Sequence, residues 1–221
     1  MIKRGNVMDI SSVIFDLDGV IVFTDKYHYL AWKQIADEMN IYFDEDINNR
    51  LRGVSRMDSL EIILERYNGE PLTQRKKEEL ASRKNEIYRS LLANMTPADV
   101  SDEVRLTLKK LNKYGYRIAL GSSSKNAKYI LERVNLLDAF DAISDGNNIT
   151  RSKPDPEVFL KASQFLGESP SRCLVVEDAE AGIDAAIKCG MKAAAIGDGI
   201  NCGKADYELK TFSNLTTILM T

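Results

Sequence analysis

An α/β fold, with a doubly wound parallel sheet and an inserted α-helical cap, is the architecture this sequence predicts, and three observations predict it. Short apolar runs end repeatedly in polar, chemistry-bearing residues, as in Val13-Ile14-Phe15 before Asp16 and Cys173-Leu174-Val175-Val176 before Glu177. Such runs read as strands buried on both faces, whose carboxyl ends carry the active sites of open α/β sheets. Helix and strand patterns alternate through the second half of the chain, which is the signature of a Rossmann-like core. Between them, residues near 25 to 94 show helical periodicity and no convincing strand.

In chain order, the first strand runs through Val13, Ile14 and Phe15 into Asp16-Leu17-Asp18-Gly19. In the insert, Trp32, Ile35, Ala36 and Met39 fall at i, i+3, i+4 and i+7, and Leu60, Ile63, Leu64 and Tyr67 repeat that spacing. A third helix starts at Thr73 and passes Leu80, Ile87 and Leu91. The segments 23–26 and 94–96 are then paired linkers, the second closed by Pro97, giving a core of residues 1–24 and 96–221 and a cap of 25–95 hinged over the strand ends. Beyond Pro97, Val104, Leu108 and Leu111 mark a helix ended by Gly115, followed by a strand running into Ser122 and a helix over 127–134. A short strand at Ala142–Ser144 precedes a helix opened by Pro156, whose apolar positions are Val158, Phe159, Ala162, Phe165 and Leu166. The strand ending at Glu177, a helix over 179–189 and a strand at Lys192–Ile196 complete the pattern. The glycines of 197–203 are not followed by the lysine-serine pair and helix that a phosphate loop needs.

Four strand-end regions carry parts of one chemistry. Gly19 lets the chain turn so that Asp18 swings over Asp16; one carboxylate can attack while the other handles protons, giving an acyl phosphate as a covalent relay. The hydroxyls and amides of Ser122-Ser123-Ser124-Lys125-Asn126 suit a phosphate, although serine and asparagine are also ordinary helix caps. Lys153, in the proline-stiffened Ser152-Lys153-Pro154-Asp155-Pro156, can direct an ammonium to the same place, where alone it reads as a surface lysine. Glu177 and Asp178 form a second carboxylate pair, and hard oxygen ligands beside a phosphate suit Mg²⁺.

Composition narrows the function class. The chain has 221 residues, enough for one sizeable core and a small satellite domain. A net charge of -3 gives no reason to expect nucleic acid or an anionic membrane as partner. Cys173, Cys189 and Cys202 lack C-x-x-C spacing and read as reduced packing residues of a cytoplasmic protein. The start, Met1-Ile2-Lys3-Arg4-Gly5-Asn6, holds no signal-like apolar stretch, and no transmembrane run follows. Nothing marks a large exposed apolar face, so a monomer is expected.

In the order nucleophile, hydroxyl, lysine, acid pair, the chain resembles the haloacid dehalogenase-like phosphotransferase superfamily over essentially its whole length. The resemblance implies Asp16 as nucleophile, Asp18 as general acid and base, and Ser122 and Lys153 as ligands of the transferring phosphoryl group. It further implies one Mg²⁺ per subunit, held by Glu177 and Asp178 with Asp16 and Asp18.

Substrate class has to come from the cap. Leu51-Arg52-Gly53-Val54-Ser55-Arg56 places two arginines, a hydroxyl and a flexible glycine at a helix entrance, where a guanidinium can grip a second phosphate; Arg83-Lys84-Asn85 adds cations and an amide. Each also reads as a solvated helix face. Gly53-Val54-Ser55-Arg56, with Tyr27-His28, Trp32, Arg83-Lys84-Asn85, Thr96-Pro97-Ala98-Asp99-Val100 and Ser124-Lys125-Asn126, is similar to the β-phosphoglucomutase family in particular. That similarity implies conversion of β-glucose 1-phosphate to glucose 6-phosphate through a bound β-glucose 1,6-bisphosphate, which also serves as activating intermediate. Arg56, Ser124, Lys125 and Asn126 then hold the phosphate that is not reacting, and Arg52, Gly53, Val54, Ser55, Lys84 and Ser123 belong to the substrate-binding set.

His28, the sole histidine, sits one turn into the first cap helix, where imidazole can exchange partners near neutral pH; the resemblance gives it the task of positioning Asp18. Trp32 reads from its spacing as core, while the resemblance adds it to the binding set. Thr24 either bonds Asp18 or caps the helix beginning near Asp25. Arg52 stands where relatives carry lysine and Ser123 where they carry alanine, so related hexose 1-phosphates or a disaccharide phosphate stay open as substrates. The alternative function on the same residues is a Mg²⁺-dependent sugar-phosphate phosphatase, in which water attacks the Asp16 intermediate. A non-catalytic binding protein would not need every catalytic position filled with a competent residue.

Overall fold

The computed structural model describes residues 10–51 and 55–220. The chain divides into two compact units, one made of Met1–Phe23 and Thr96–Thr221 and the other of Thr24–Met95. In the first unit, six strands among the described residues form one sheet: β1 (Ser12–Phe15), β2 (Arg117–Gly121), β3 (Ala142–Ser144), β4 (Cys173–Glu177), β5 (Lys192–Ile196) and β6 (Tyr207–Leu209). Their order is β3-β2-β1-β4-β5-β6, and every neighbouring pair is parallel.

The helices, in chain order, are α1 (Asp25–Glu38), α2 (Glu45–Asn49), α3 (Arg56–Leu64) and α4 (Gln74–Leu92) in the second unit. The first unit holds α5 (Asp102–Lys113), α6 (Ala127–Arg133), α7 (Glu157–Leu166), α8 (Glu180–Lys188) and α9 (Asn214–Leu219). Because side chains alternate along a strand, Ile14, Ala119, Val175, Ala193 and Ala195 share one sheet face and pack with Val158, Phe159 and Ala162 of α7 and Ile183 and Ala186 of α8. The other face carries Phe15, stacked on Phe212 at 5.5 Å and edge-on to Phe140 at 6.4 Å between ring centroids. Coverage on both faces explains why β1 and β4 read as unbroken apolar runs.

Register puts the chemistry at one level. Phe15 pairs with Leu120 on one side and Val176 on the other, so Asp16, Gly121 and Glu177 follow side by side at the carboxyl ends of adjacent strands. Gly121 in turn pairs with Ser144, which sets Ser122 beside Asp145.

In the second unit, Trp32, Ile35, Ala36, Leu60, Ile63, Leu80 and Ala81 form the core that the spacing indicated. Three elements had no clear periodic signal. Helix α2 is five residues with one buried apolar position, Ile47, and its start is fixed locally by the Asp44 carboxylate accepting from the Ile47 amide. Strand β6 is three residues long, and α9 has the single buried residue Leu215. Phe165, expected on the apolar stripe of α7, is half exposed, because Val158, Phe159, Ala162 and Leu166 already fill the buried face. Among the described residues no helix is long and apolar enough to cross a membrane.

Gly121 is where the sheet meets the site. A Cβ there would come within 2.7 Å of the Phe159 ring and 3.2 Å of an Ile14 methyl, so the last residue of β2 fits only without a side chain. Gly121→Val is expected to overpack this contact and lower stability by about 1–3 kcal/mol, read as a lower urea midpoint. An unchanged midpoint would mean that α7 does not press on the strand end.

Candidate active site

After β1 the chain turns sharply. Leu17 O accepts from the Ile21 and Val22 amides at 2.9 and 3.0 Å, and the Gly19 amide donates to Val22 O at 2.7 Å. Gly19 has φ +86°, which favours glycine, and a Cβ on it would lie 1.9 Å from Oδ2 of Asp178. The bare turn thus admits the Asp178 carboxylate against the loop that carries Asp16 and Asp18.

The Lys153 ammonium, almost fully buried, donates to Asp16 Oδ1 and to Glu177 Oε1, the latter at 2.6 Å. It also lies 4.7 Å from the Phe159 ring centroid, on the residue that packs against Gly121. Both carboxylate oxygens of Glu177 are engaged: Oε1 by Lys153, and Oε2 by the Ala179 amide at 2.9 Å. Gly182 makes room for that carboxylate, since a Cβ there would fall 1.8 Å from Oε1.

Charge is unbalanced at this point. Burial lowers the Lys153 pKa, but Asp16 and Glu177 outweigh it and hold the ammonium protonated well beyond its usual range. Burial pushes the Asp16 carboxyl well above its ordinary range; Lys153 opposes this, while Glu177, Asp18 and Asp178 add to it. Burial, followed by Glu177, pushes Asp178 up to about 7. One ammonium faces four carboxyl groups, so keeping Asp16 ionised as a nucleophile requires further positive charge.

Among the described residues no three His, Cys, Asp or Glu side chains converge to hold a metal by themselves. Mg²⁺ needs no such cage, because one or two carboxylates with waters and substrate oxygens complete its octahedron. Asp16 and Asp178 fit it as donors, whereas Glu177 faces Lys153 and a backbone amide.

The 122–126 loop is tied by its own hydroxyls. Buried Ser122 accepts from the Ser124 amide through Oγ at 3.1 Å, and Ser124 Oγ accepts from the Asn126 amide at 3.2 Å. The Ser122 amide donates to Ser144 O at 3.0 Å. Ser123 Oγ is buried without a hydrogen-bond partner in the protein. The Asn126 side chain makes no cap hydrogen bond to α6, and the hydroxyl contacts at this helix start come from Ser122 and Ser124.

In the second unit, α1, α3 and α4 gather a different set. Lys84 is 3% exposed, and its ammonium lies 2.9 Å from His28 Nδ1. It sits 4.9 Å from the Trp32 ring centroid and 4.7 Å from that of Tyr88, and the Tyr88 ring lies 4.1 Å from the His28 ring. Burial first, then Lys84 and Arg56, push the His28 pKa well below its ordinary value. A Lys84 ammonium donating to Nδ1 leaves Nε2 to carry the ring hydrogen, and both cations disfavour a protonated ring. His28 is not the group poised to titrate near neutrality that the sequence suggested.

Arg56, partly buried at the first position of α3, donates to Asn85 Oδ1 of α4 at 2.9 Å. Ser55 caps α3, accepting from the Asp58 amide at 3.2 Å and donating to its carboxylate at 2.6 Å. Buried Thr24 makes no cap hydrogen bond to α1. Arg83 points to solvent and pairs with Glu38. Arg52, Gly53 and Val54 lie outside the described residues.

Two contributors had escaped notice. Gly182, a glycine inside an otherwise good helix, signals a close approach, and the approach is that of Glu177. Gly199, in the glycine-rich 197–203 stretch, packs on the Asp178 backbone, where a Cβ would come within 2.9 Å of the carbonyl carbon.

Comparisons with known proteins bear on the family and the fold. The sequence pattern of the haloacid dehalogenase-like hydrolases matches residues 10–190. A β-phosphoglucomutase from Bacillus subtilis (strain 168) is 44% identical over 210 residues, which is 95% of this chain and 93% of that protein. A fructose-1-phosphate phosphatase from Escherichia coli (strain K12) is 31% identical over 190 residues, or 84% of this chain and 96% of that protein. The crystal structure of a β-phosphoglucomutase from Clostridium difficile superposes with a TM-score of 0.85 at 36% identity, covering 93% of each chain.

The single histidine gives a clean test of the Lys84 contact. In ¹⁵N spectra His28 should show the neutral Nε2–H form throughout the range around neutrality. An unfolded chain takes up a proton near 6.5 and the folded one does not, so stability should fall as the pH drops below about 6.5. Titration of His28 near 6.5 in the native protein would remove both expectations.

Proposed function

The chain belongs to the haloacid dehalogenase-like hydrolase family, and we propose that it is a β-phosphoglucomutase, interconverting β-D-glucose 1-phosphate and glucose 6-phosphate. What supports this reading is that each unit gathers its own set of cationic and polar side chains suited to an anion. One is the Lys153–Asp16 centre with Ser122 in the first unit, and the other is Arg56 with Asn85 and Lys84 in the second. A simple phosphatase needs only the first. The two units then act as catalytic core and cap.

In the reaction, Asp16 carries the phosphoryl group as an acyl phosphate. The sugar 6-hydroxyl attacks phosphorus, the bond to Asp16 breaks, and Asp18 takes the hydroxyl proton. The bound β-glucose 1,6-bisphosphate reorients, Asp16 attacks the 1-phosphate, and Asp18 returns the proton to the departing 1-oxygen. Lys153 and Ser122 neutralise and orient the transferring group; for the passive phosphate the candidate ligands are Ser124, Lys125 and Asn126 in the first unit and Arg56 in the second, each set taken by itself. Within the second unit, Thr24, His28, Trp32 and residues 52–55 are the candidates for sugar binding. Mg²⁺, one per subunit, offsets the repulsion between the carboxylates and the incoming phosphoryl oxygens when bound. The working form is a cytoplasmic monomer acting on a free sugar phosphate.

The decisive assay supplies β-glucose 1-phosphate, Mg²⁺ and a trace of bisphosphate, and follows glucose 6-phosphate and free phosphate together. Glucose 6-phosphate should accumulate, and Asp16→Asn, nearly isosteric, should abolish its formation. Asp18→Asn should lose about 10² to 10⁴ in rate, the usual worth of general acid–base catalysis. Free phosphate as the sole product would establish the phosphatase instead.

Arg56→Ala separates the two reaction classes. Loss of a charge-assisted contact of about 1.5–3 kcal/mol should weaken bisphosphate binding roughly tenfold to more than a hundredfold. The variant should demand more added bisphosphate and release more free phosphate. If both stay unchanged, the cap does not grip a second phosphate.

A further inference from the structure

The loop between β3 and α7 holds the 122–126 loop by its backbone, through Gly146 and Asn147, neither of which is among the site residues expected from the sequence. The Gly146 amide donates to Ser124 O at 3.1 Å, and Asn147 Nδ2 donates to Lys125 O at 2.9 Å. Two successive carbonyls are thus fixed from one side. In a trans peptide the N–H points opposite to the C=O, so the Lys125 and Asn126 amides face away from this support. The Asn126 amide is taken by Ser124 Oγ, so of the two the Lys125 amide is the one given no acceptor among the described residues.

The supporting loop is itself rigid. Asp145, 1% exposed at the end of β3, accepts from the Asn147 amide at 2.9 Å through Oδ1 and from Asn147 Nδ2 at 3.3 Å through Oδ2. A Cβ on Gly146 would lie 2.4 Å from Ser123 O and 2.8 Å from the Lys125 amide nitrogen, both backbone atoms that cannot swing aside. The two backbones touch, and only glycine permits it. Farther along, the same loop is anchored where the Thr150 and Arg151 amides donate to the Glu157 carboxylate at 3.0 and 2.8 Å, on either side of the stretch that delivers Lys153 to Asp16 and Glu177.

We propose that Asn147 and Gly146 are positioning residues for phosphate recognition, orienting the backbone of residues 124–126 toward the phosphate that is not transferred. This rests on the mutase reading for the identity of that phosphate, but the physical claim concerns an oxyanion at these amides. A substrate phosphate would meet the Lys125 amide in an orientation set by Asn147, without touching Asn147.

Inorganic phosphate titrated into the full protein, followed by ¹H–¹⁵N shifts, reads the claim without turnover. In the wild type the Lys125 amide should move with phosphate. In Asn147→Ala the apparent phosphate affinity reported there should fall about fivefold, the size of one ordinary hydrogen bond, and Gly146→Ala should lower it further. Asn147 is exposed, so its variant should keep the wild-type melting temperature, which separates positioning from unfolding. In turnover, Asn147→Ala should raise the KM for the bisphosphate more than it lowers kcat. Unchanged phosphate affinity in Asn147→Ala, or no response of the Lys125 amide in the wild type, overturns the proposal. Phosphate binding that depends on Asn147 in a protein that releases only free phosphate would uphold it and refute the mutase reading.

Discussion

The Lys153 ammonium, shared between Asp16 and Glu177, is the interaction on which the core site depends. Three charged groups taken out of water at the end of a sheet are tolerated only because each is hydrogen-bonded; removing one partner from a buried pair typically costs about 3–5 kcal/mol. The surroundings are shaped to that need. Phe159 lies beside the ammonium, Gly121 lets Phe159 approach, Gly182 opens space for Glu177, and the Ala179 amide satisfies its second oxygen. Glu177 is consequently a support for Lys153 as much as an acid in its own right.

Parallel register turns distant stretches of sequence into one place. Residues 16, 121 and 177 are far apart in the chain, yet Phe15 pairs with both Leu120 and Val176, so the residues that follow emerge at one level. No individual motif specifies this. It follows from six strands running the same way with helices on both faces, which is why a carboxylate, a hydroxyl loop and an acid pair meet without long-range sequence signals.

Much of this was legible because the signals were local and strong. Apolar runs ending in Asp16, Ser122 and Glu177 gave the central strands, and i, i+3, i+4 spacing gave α1, α3 and α4. Where one or two residues carry the burial, as in α2, β6 and α9, periodicity has nothing to repeat. Side-chain partners were less accessible still. Arg83 and Lys84 are adjacent cations on one helix, yet Arg83 reaches an exposed Glu38 while Lys84 is buried among Trp32, Tyr88 and His28. Only the helix packing distinguishes them. The role of Gly146 was likewise invisible, since it depends on a backbone more than twenty positions away.

Burial of Lys84 decides what His28 can do. An ammonium 2.9 Å from Nδ1 makes that nitrogen an acceptor, and a second cation at Arg56 further disfavours an imidazolium. Two aromatic faces stabilise the Lys84 ammonium where water is excluded, and that charge disfavours a second one on the imidazole. The cationic character of this cluster is then set by Lys84 and Arg56 alone. With its pKa pushed down by burial and these two cations, His28 is suited to contribute an Nε2–H donor in place of a charge.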